Sequence, residues 1–346
     1  MKATRAMSVA VLAAILAGCQ SSPRPIFPPV SPPIVWPPPP ERPRIRYVGE
    51  LHGEESLAAQ PSGWEAVRAA LTGPKPMGVF SRPSAVAVAG ERVFVADTGF
   101  GVVHLLDLTE RRYQVLRGNP TDLLRAPLDL TIVAGNSLAV VDRGRAAVDV
   151  FGLDGAWRTT KRWPELLAPV AATWDAVRGL LWLADVKAHA CFACAPWSDL
   201  QHRLGGPGTA PGQFAFPTAL AWHSGLGLVV ADAMNFRIQV FDEDDRPRAV
   251  FGQKGDGAGD FSRPRGVAVD SDGHIYVVDN QFENIQVFDC DGRLLLAFGQ
   301  GGDRRGEFSL PAGITIDAQD RIWVADSYNH RVQVFQYLSE KLACAQ

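Results

Sequence analysis

The stretch HACFAC, residues 189–194, combines side chains that often carry metal or redox chemistry. His189 precedes Cys191 by two residues, and Cys191 and Cys194 form a C-x-x-C pair. Thiolates and imidazoles are ligands for zinc and copper, and the same cysteine spacing occurs in redox dithiols and haem attachment sites. Haem attachment is excluded because it requires a His directly after the second Cys, where this chain has Ala195. A metal site, a local disulfide and a structural role remain open.

A further cysteine with possible chemistry lies near the N-terminus. A short apolar run follows Lys2 and Arg5 and ends in Leu16-Ala17-Gly18-Cys19. Its length is typical of a signal peptide, residues 1–18, and is short for a membrane span. The tetrapeptide resembles a bacterial lipobox, which implies cleavage before Cys19 and its acylation. In such lipoproteins a residue other than Asp after the cysteine, here Gln20, implies the outer membrane of a diderm host. Several acyl chains on one cysteine would give stable membrane attachment.

Proline dominates the segment that follows this cysteine. Residues 23–43 contain 11 prolines. Such a segment favours polyproline II, which rises ~3.1 Å per residue. We therefore expect residues 19–43 to form a lipidated Cys plus a semi-rigid stalk of roughly 60 Å that holds a domain away from the membrane.

The rest of the chain is built from six copies of one unit. Each copy contains a short apolar strand that ends in Asp, as in VFVAD, LAVVD and IWVAD. A Pro opens the preceding strand of each copy, and a tight turn and a third apolar segment follow the Asp. The six aspartates recur every 43 to 47 residues and are Asp97, Asp142, Asp185, Asp232, Asp279 and Asp326.

This period and strand content predict an all-β fold, a six-bladed β-propeller over residues 82–336. The segments DAMNFRIQVF and DSYNHRVQVF show the pattern D-x-x-N-x-R-[IV]-Q-V-F. This pattern resembles the NHL repeat. The resemblance is sharp in the last three copies and weaker in the first three, where the Asn, Arg and Gln are mostly lost.

The sixth copy ends after its third strand, so its outer strand must come from elsewhere in the chain. RIRYVGELHG, residues 44–53, is similar to RLLLAFGQGG, residues 293–302. We expect residues 44–51 to complete the last blade and close the ring, which removes an exposed sheet edge. The connector 52–81 contains a predicted short helix in SGWEAVRAALTG, and residues 337–346 form a C-terminal tail.

Alignment of the six copies favours a structural role for HACFAC. Cys191 and Cys194 fall on positions where the other copies carry aliphatic residues or Phe, and His189 falls in a turn. Residues three apart on a regular strand point to opposite faces, which opposes pairing of these two thiols. Because Phe192 replaces the usual polar residue, this blade is atypical and a bulge is allowed there, so both a disulfide and a weak metal site remain open. An oxidising periplasm would also permit a bridge between Cys290 and Cys344.

The aspartates that end the second strands are better explained as turn residues than as catalytic or calcium-binding residues. An Asp carboxylate can accept backbone N–H bonds in the following hairpin.

Function in a propeller is usually carried by loops, and the turns after these aspartates emerge on the same face as the connectors between blades. Their aromatic, cationic and Met side chains are typical of protein-binding surfaces. These candidates for a binding face are Phe100, Arg143, Arg145, Lys187, Met234, Phe282 and Tyr328.

Composition and motifs narrow the functional class. The chain has a net charge of −3 and contains no basic run interleaved with aromatics, which argues against a nucleic-acid partner. We find no phosphate loop, nucleophile elbow or cofactor motif, and we predict no cofactor and no catalytic residue. The sequence favours a non-enzymatic, membrane-anchored scaffold that binds an envelope or secreted protein. The alternatives are a hydrolase or lyase at the channel mouth, with or without a metal, and a small-ligand sensor.

Overall fold

Six antiparallel sheets surround a central channel in the computed structural model, which describes residues 25–57 and 78–338. Five sheets have four strands, and the sixth has five. The innermost strands of neighbouring sheets pack against one another all the way around the ring. The predicted all-β, six-bladed β-propeller is therefore confirmed.

The strands of each blade are named a to d from the channel outward. Blade 1 contains Pro83–Ala89, Arg92–Asp97, Val102–Asp107 and Arg112–Leu116. Blade 2 contains Pro127–Val133, Ser137–Asp142, Ala147–Gly152 and Trp157–Lys161. Blade 3 contains Pro169–Asp175, Leu180–Asp185, Ala190–Cys194 and His202–Leu204. Blade 4 contains Pro217–His223, Gly227–Asp232, Arg237–Phe241 and Pro247–Phe251. Blade 5 contains Pro264–Val269, Ile275–Asp279, Asn284–Phe288 and Leu294–Phe298.

Blade 6 is completed by the N-terminal part of the chain. Its strands a to c are Pro311–Ile316, Arg321–Asp326 and Arg331–Tyr337. Its strand d is Ile45–Leu51, which pairs antiparallel with strand c, and Val35–Trp36 adds a short fifth strand outside it. The predicted closing strand is present, and it satisfies an edge that would otherwise be open.

The remaining regular elements are short. Gly118–Asn119 and Asp122–Leu123 form a small hairpin in the connector between blades 1 and 2. The 3-10 helices are Glu54–Leu57, Arg143–Arg145 and Ala233–Asn235. The predicted helix in SGWEAVRAALTG lies outside the described residues, as do the signal peptide, Cys19 and the end of the C-terminal tail.

The apolar core lies between the blades. Phe94 of blade 1 packs in one cluster with Leu138 of blade 2, and the other clusters likewise join neighbouring sheets. The Gly-rich connectors before blades 4, 5 and 6 fold alike, each with a fully buried Phe, as at Phe261. Gly252 has φ +90°, and a Cβ at this position would meet the Phe261 ring at 2.4 Å, so only glycine fits. These connectors are interblade turns, as the sequence indicates.

The proline-rich segment differs from the prediction of a free stalk over residues 19–43. In its described part, residues 25–43, Phe27 packs edge to face on Trp323, with ring centroids 6.0 Å apart. Trp36 contacts Phe335, and Ile34 packs against the same apolar cluster. The prediction was wrong for these residues because apolar side chains alternate with the prolines and bury their surface on blade 6. We call residues 25–43 the strap.

Candidate functional site

The aspartate at the end of each strand b is buried and organises one face of the ring. Asp185 accepts N–H bonds from Leu167 and Ala168, at 2.7 and 2.6 Å, and from Lys187 and Ala188, both at 2.9 Å. The first two residues end the connector that enters the blade, and the other two belong to the b–c turn. The carboxylate thus fixes the turn against the connector. Asp97, Asp142 and Asp279 likewise accept N–H bonds from both segments. Asp232 and Asp326 each accept one connector N–H and hold the b–c turn through the side-chain amide of Asn235 or Asn329.

The Asn, Arg and Gln of the repeat motif stiffen the same face. In blade 6, Arg331 Nε donates to Asp326 at 2.8 Å, and its Nη2 donates to the Glu307 carbonyl at 2.9 Å. Asn329 and Gln333 each donate to Asp326, at 2.9 and 3.0 Å. The hydrogen bonds of these side chains are made within the scaffold. The side chains therefore stabilise the turns and do not form part of the exposed surface.

Arg145 corrects the set of binding-face candidates. Its side chain is only 2% exposed, and its Nε donates to Asp142 at 2.7 Å. It also contacts Asp149 and donates to the Asp122 carbonyl oxygen at 2.7 Å. Blade 2 lacks the usual Asn, Arg and Gln, and Arg145 together with Asp149 fills their place. Arg145 is therefore part of the framework and does not belong to the solvent-facing surface.

The other candidates lie on b–c turns and differ in exposure. Phe100, Met234 and Tyr328 are 57%, 58% and 54% exposed. Arg143 and Lys187 are also exposed, whereas Phe282 is half-buried. The Arg82 guanidinium lies 5.7 Å from the centroid of the Tyr328 ring. Phe216 is 44% exposed and was missed from the sequence, although it directly precedes the Pro that opens strand a of blade 4.

The central channel has a volume of about 690 Å³ and is lined by the innermost strands and adjoining turns. Arg143 and Met234 belong to its lining. The other charged groups of this lining are Asp129, Arg263 and Arg265, and the sequence did not predict them as site residues. Asp129 had a usable signal, because the other strands a carry Ala or Gly at its position.

The environments of two of these channel groups shift their pKa values. Burial raises the pKa of Asp129 to about 6, although backbone N–H groups of Ala172 and Leu130 partly offset this effect. The bond from Ala172 N to Asp129 is 2.8 Å long and joins blade 3 to blade 2. The pKa of Arg265 is lowered by burial and by the nearby charges of Arg263 and Arg143. None of these arginines is among the groups that shift the pKa of Asp129.

Residues 190–194 of HACFAC form strand c of blade 3. Both cysteines are fully buried free thiols on opposite faces of the strand: Cys191 packs with Phe214 and Cys194 with Trp163. The local disulfide left open by the sequence is therefore not formed. Burial raises the pKa of both thiols, that of Cys194 to about 11. His189 lies in the b–c turn, where its Nδ1 accepts the Phe216 N–H at 3.3 Å.

Within residues 25–57 and 78–338, no three His, Cys, Asp or Glu side chains are grouped as a metal ion would require. Cys290 is half-buried on blade 5, and its suggested partner Cys344 lies outside the described residues. None of the helices in the described parts of the chain has the length and apolar character needed to span a bilayer.

Two segments match the model of the NHL repeat, residues 261–288 and 308–335, which belong to blades 5 and 6. The protein is thus a six-bladed β-propeller that carries NHL repeats in its last two blades. No curated protein matches the chain closely enough in sequence to be named as a relative.

Solved structures are similar in fold. An auxiliary nutrient binding protein from Bacteroides ovatus gives a TM-score of 0.59 at 12% identity, over 77% of this chain and 71% of that one. A streptogramin B lyase gives 0.57 at 13% identity, over 75% and 94%. A chain of a nidogen/laminin complex gives 0.55 at 16% identity, over 71% and 86%. At these identities the similarity establishes the fold alone.

Proposed function

We propose that the protein is a non-enzymatic binding scaffold of the cell envelope that docks a protein partner on the face formed by the b–c turns. The observation that carries the proposal is the exposure of Phe100, Met234 and Tyr328, each more than half accessible on this face. Aromatic residues, Met and Arg are enriched in the centres of protein interfaces. The buried aspartates hold the turns rigidly, so little entropy would be lost when a partner binds.

We further propose that acylated Cys19 attaches this scaffold to a membrane, the outer membrane in a diderm host. The strap supports a close attachment. Only six residue steps separate Cys19 from Pro25, and an extended chain spans about 3.5 Å per residue, so the strap begins within about 20 Å of the acyl chains. The edge of blade 6 that carries the strap would face the bilayer, and the b–c turns would remain accessible beside it.

Site-specific photocrosslinking in the native envelope tests the docking face. We would place a photoreactive phenylalanine at Phe100 and, separately, at Tyr328, with Leu295 as the control. Leu295 is also exposed, at 46%, but it lies on the outer strand of blade 5. We expect one partner protein, identified by mass spectrometry, to be captured from both face positions and not from Leu295. Capture of the same proteins from all three positions, or of none from the face, would overturn the proposal.

Cell fractionation tests the anchor separately. Cys19→Ser should release the protein from the membrane fraction, whereas Cys290→Ser should leave it there.

Metal analysis of the purified protein tests the alternative of a metal-dependent hydrolase or lyase. One tightly bound equivalent that is lost on replacing His189 or His330, the two histidines of the b–c turns, would favour the enzyme over the scaffold.

A further inference from the structure

Three arginines of the channel lining have no acidic partner among the residues that the structure describes. Arg143 lies in the b–c turn of blade 2, whereas Arg263 and Arg265 flank the Pro that opens strand a of blade 5. In the described part of the chain, none of their guanidinium groups forms an ion pair, a hydrogen bond or a contact with a ring. By contrast, Arg237 and Arg331 each bind the buried aspartate of their own blade.

These cations come from opposite sides of the ring. Blades 2 and 5 face each other across the channel, and Arg143 is nevertheless close enough to act electrostatically on Arg265. All three belong to the same end of the channel, because the b–c turns and the starts of the strands a share one face. The arrangement gathers three positive charges at one mouth, and among the described residues no carboxylate forms an ion pair with any of them.

The fold does not require a cation at this place. The residue after the opening Pro of strand a is neutral in every blade except blade 5. It is Ser84, Leu128, Val170, Thr218, Arg265 and Ala312 in blades 1 to 6. The residue after the aspartate of strand b is likewise neutral everywhere except for Arg143 in blade 2.

Arg143 and Arg263 are exposed, whereas Arg265 is half-buried, and keeping like charges beside a partly desolvated cation costs free energy. This cost is reflected in the lowered pKa of Arg265, which results from burial and from its two neighbours. A bound anion would offset the repulsion and would be held by charge-assisted hydrogen bonds, for which the planar guanidinium is well suited. Asp129, the carboxylate of the lining, is instead held by the backbone N–H groups of Leu130 on its own strand and of Ala172 on strand a of blade 3.

Apolar side chains adjoin these charges. Phe216 and Met234 line the same cavity and are 44% and 58% exposed. The volume of about 690 Å³ lies in the range of pockets that hold small organic ligands. We propose that this mouth of the channel binds a compact organic anion. Its carboxylate or phosphate would contact Arg143, Arg263 and Arg265, and its apolar body would contact Phe216 and Met234.

Calorimetric titration of the full-length protein in detergent tests this site with four matched probes. Phenylacetate and phenyl phosphate carry the two anionic groups, whereas phenylacetamide and phenethylamine are neutral and cationic counterparts. We expect at least one anion to bind tenfold or more tightly than the amide and the amine, and the preference between the anions identifies the acid group. Equal affinity for all four probes, or no binding of either anion, would overturn the proposal.

Variants then assign the binding to the arginines. Arg265→Gln and Arg143→Gln should each weaken anion binding at least tenfold, and Arg265→Lys should weaken it less. Arg305→Gln is the control, because Arg305 is exposed on a connector and does not line the channel. An equal loss in the control would contradict the assignment. Thermal unfolding without ligand checks the fold, and Arg265→Gln should be at least as stable as the wild type because the repulsion is relieved.

The anion site shares Met234 and one face of the ring with the proposed docking surface, but separate experiments test the two sites. Arg265→Gln should weaken anion binding at least tenfold and leave photocrosslinking from Phe100 unchanged. Failure of the crosslinking experiment would therefore not remove the anion site, and failure of the titrations would not remove the docking face.

Discussion

The Nε2 atom of His104 lies 3.2 Å from Oδ2 of Asp97, and both side chains are buried. His104 occupies the position of strand c that carries Gln239 in blade 4, and the Nε2 of that Gln donates to Asp232 at the same distance. The histidine also bonds through Nδ1 to the Tyr113 hydroxyl, 2.6 Å away. His104 is thus the equivalent of the repeat glutamine in a blade where the motif has diverged.

This equivalence predicts an asymmetric response to substitution. His104→Gln should retain a donor for Asp97 and cost little, whereas His104→Leu removes the bonds to both Asp97 and Tyr113. Loss of partners for buried polar groups should destabilise the protein by about 1–3 kcal/mol. Urea unfolding measures the difference, and equal stability of the two variants would show that the hydrogen bonds contribute nothing.

The acid sensitivity of the same pair follows from the pKa of Asp97. Burial alone would raise this pKa, but hydrogen bonds from His104 and from the Ser81 and Arg82 N–H groups outweigh burial, and the pKa is lowered. A lowered carboxyl pKa contributes stability above its unfolded value of 3.8, and this contribution is lost as the pH falls through the folded value. The advantage of wild type over His104→Leu should therefore shrink at low pH.

Much of this framework could be predicted from the sequence because it is local and repeated. The six aspartates recur at nearly constant spacing, and the strands before and after them show the same apolar pattern in every copy. The closing strand could be predicted because residues 44–53 are similar to an outer strand elsewhere in the chain. Cys191 and Cys194 could be placed in the core because five sibling strands carry apolar residues there.

The features that the sequence did not predict depend on contacts between distant parts of the chain. The proline content of the strap predicts a stalk because it is a local property of the sequence. The packing of Trp36 is not local, since the surface that it contacts is formed by Phe298 of blade 5 and Phe335 of blade 6. Its position in a b–c turn predicts that Arg145 is exposed. Its burial could not be predicted because it depends on contacts with Asp149 and with the preceding connector. The arginines of the channel mouth come from opposite blades, and no spacing along the chain brings Arg143 near Arg265.

The strap should contribute to stability. Trp36 is half-buried against Phe298 and Phe335, with ring centroids 5.7 Å away in both cases. Trp36→Ala should lower the free energy of unfolding by about 1–3 kcal/mol, less than for a fully buried Trp because part of the ring is already exposed. Pro33→Ala, at an exposed strap position, is the control. Urea unfolding that separates neither variant from wild type would indicate that the strap does not pack in solution.

The cysteines should differ in reactivity according to burial. In the native protein at pH 8, iodoacetamide should label Cys290, which is half-buried, but not Cys191 or Cys194, which are fully buried with raised thiol pKa values. After unfolding in urea all three should be labelled, as peptide mapping by mass spectrometry would reveal. Fast labelling of Cys194 in the native state would contradict a core role and would restore the case for redox chemistry.

Cys194→Ala and Cys194→Ser separate a packing role from thiol chemistry at the same position. Alanine leaves a small cavity, whereas serine buries a hydroxyl among apolar side chains such as Trp163 and Leu181. We expect serine to be the more destabilising change, by about 1–3 kcal/mol relative to wild type. If both variants fold normally but lose partner capture, the thiol itself would be functional.

The carboxyl group of Asp129 should make stability fall as the pH rises. Its folded pKa, about 6, lies above the unfolded value of 3.8, so the folded state binds its proton more tightly. The stability gained from that proton is fully present below pH 4 and is lost as the pH rises through about 6.

Asp129→Asn keeps an oxygen that can accept the Ala172 N–H but cannot ionise. Relative to wild type, this variant should gain about 1–3 kcal/mol of stability as the pH rises from 4 to 7. One pKa unit corresponds to about 1.4 kcal/mol, and solvent screens part of the effect because Asp129 is partly exposed. Chemical unfolding at both pH values measures this difference. Asp256→Asn, at an exposed connector position, should show no such change. A difference that stays constant with pH would mean that Asp129 ionises as readily in the folded protein as in the unfolded chain, and that its place between blades 2 and 3 is well solvated.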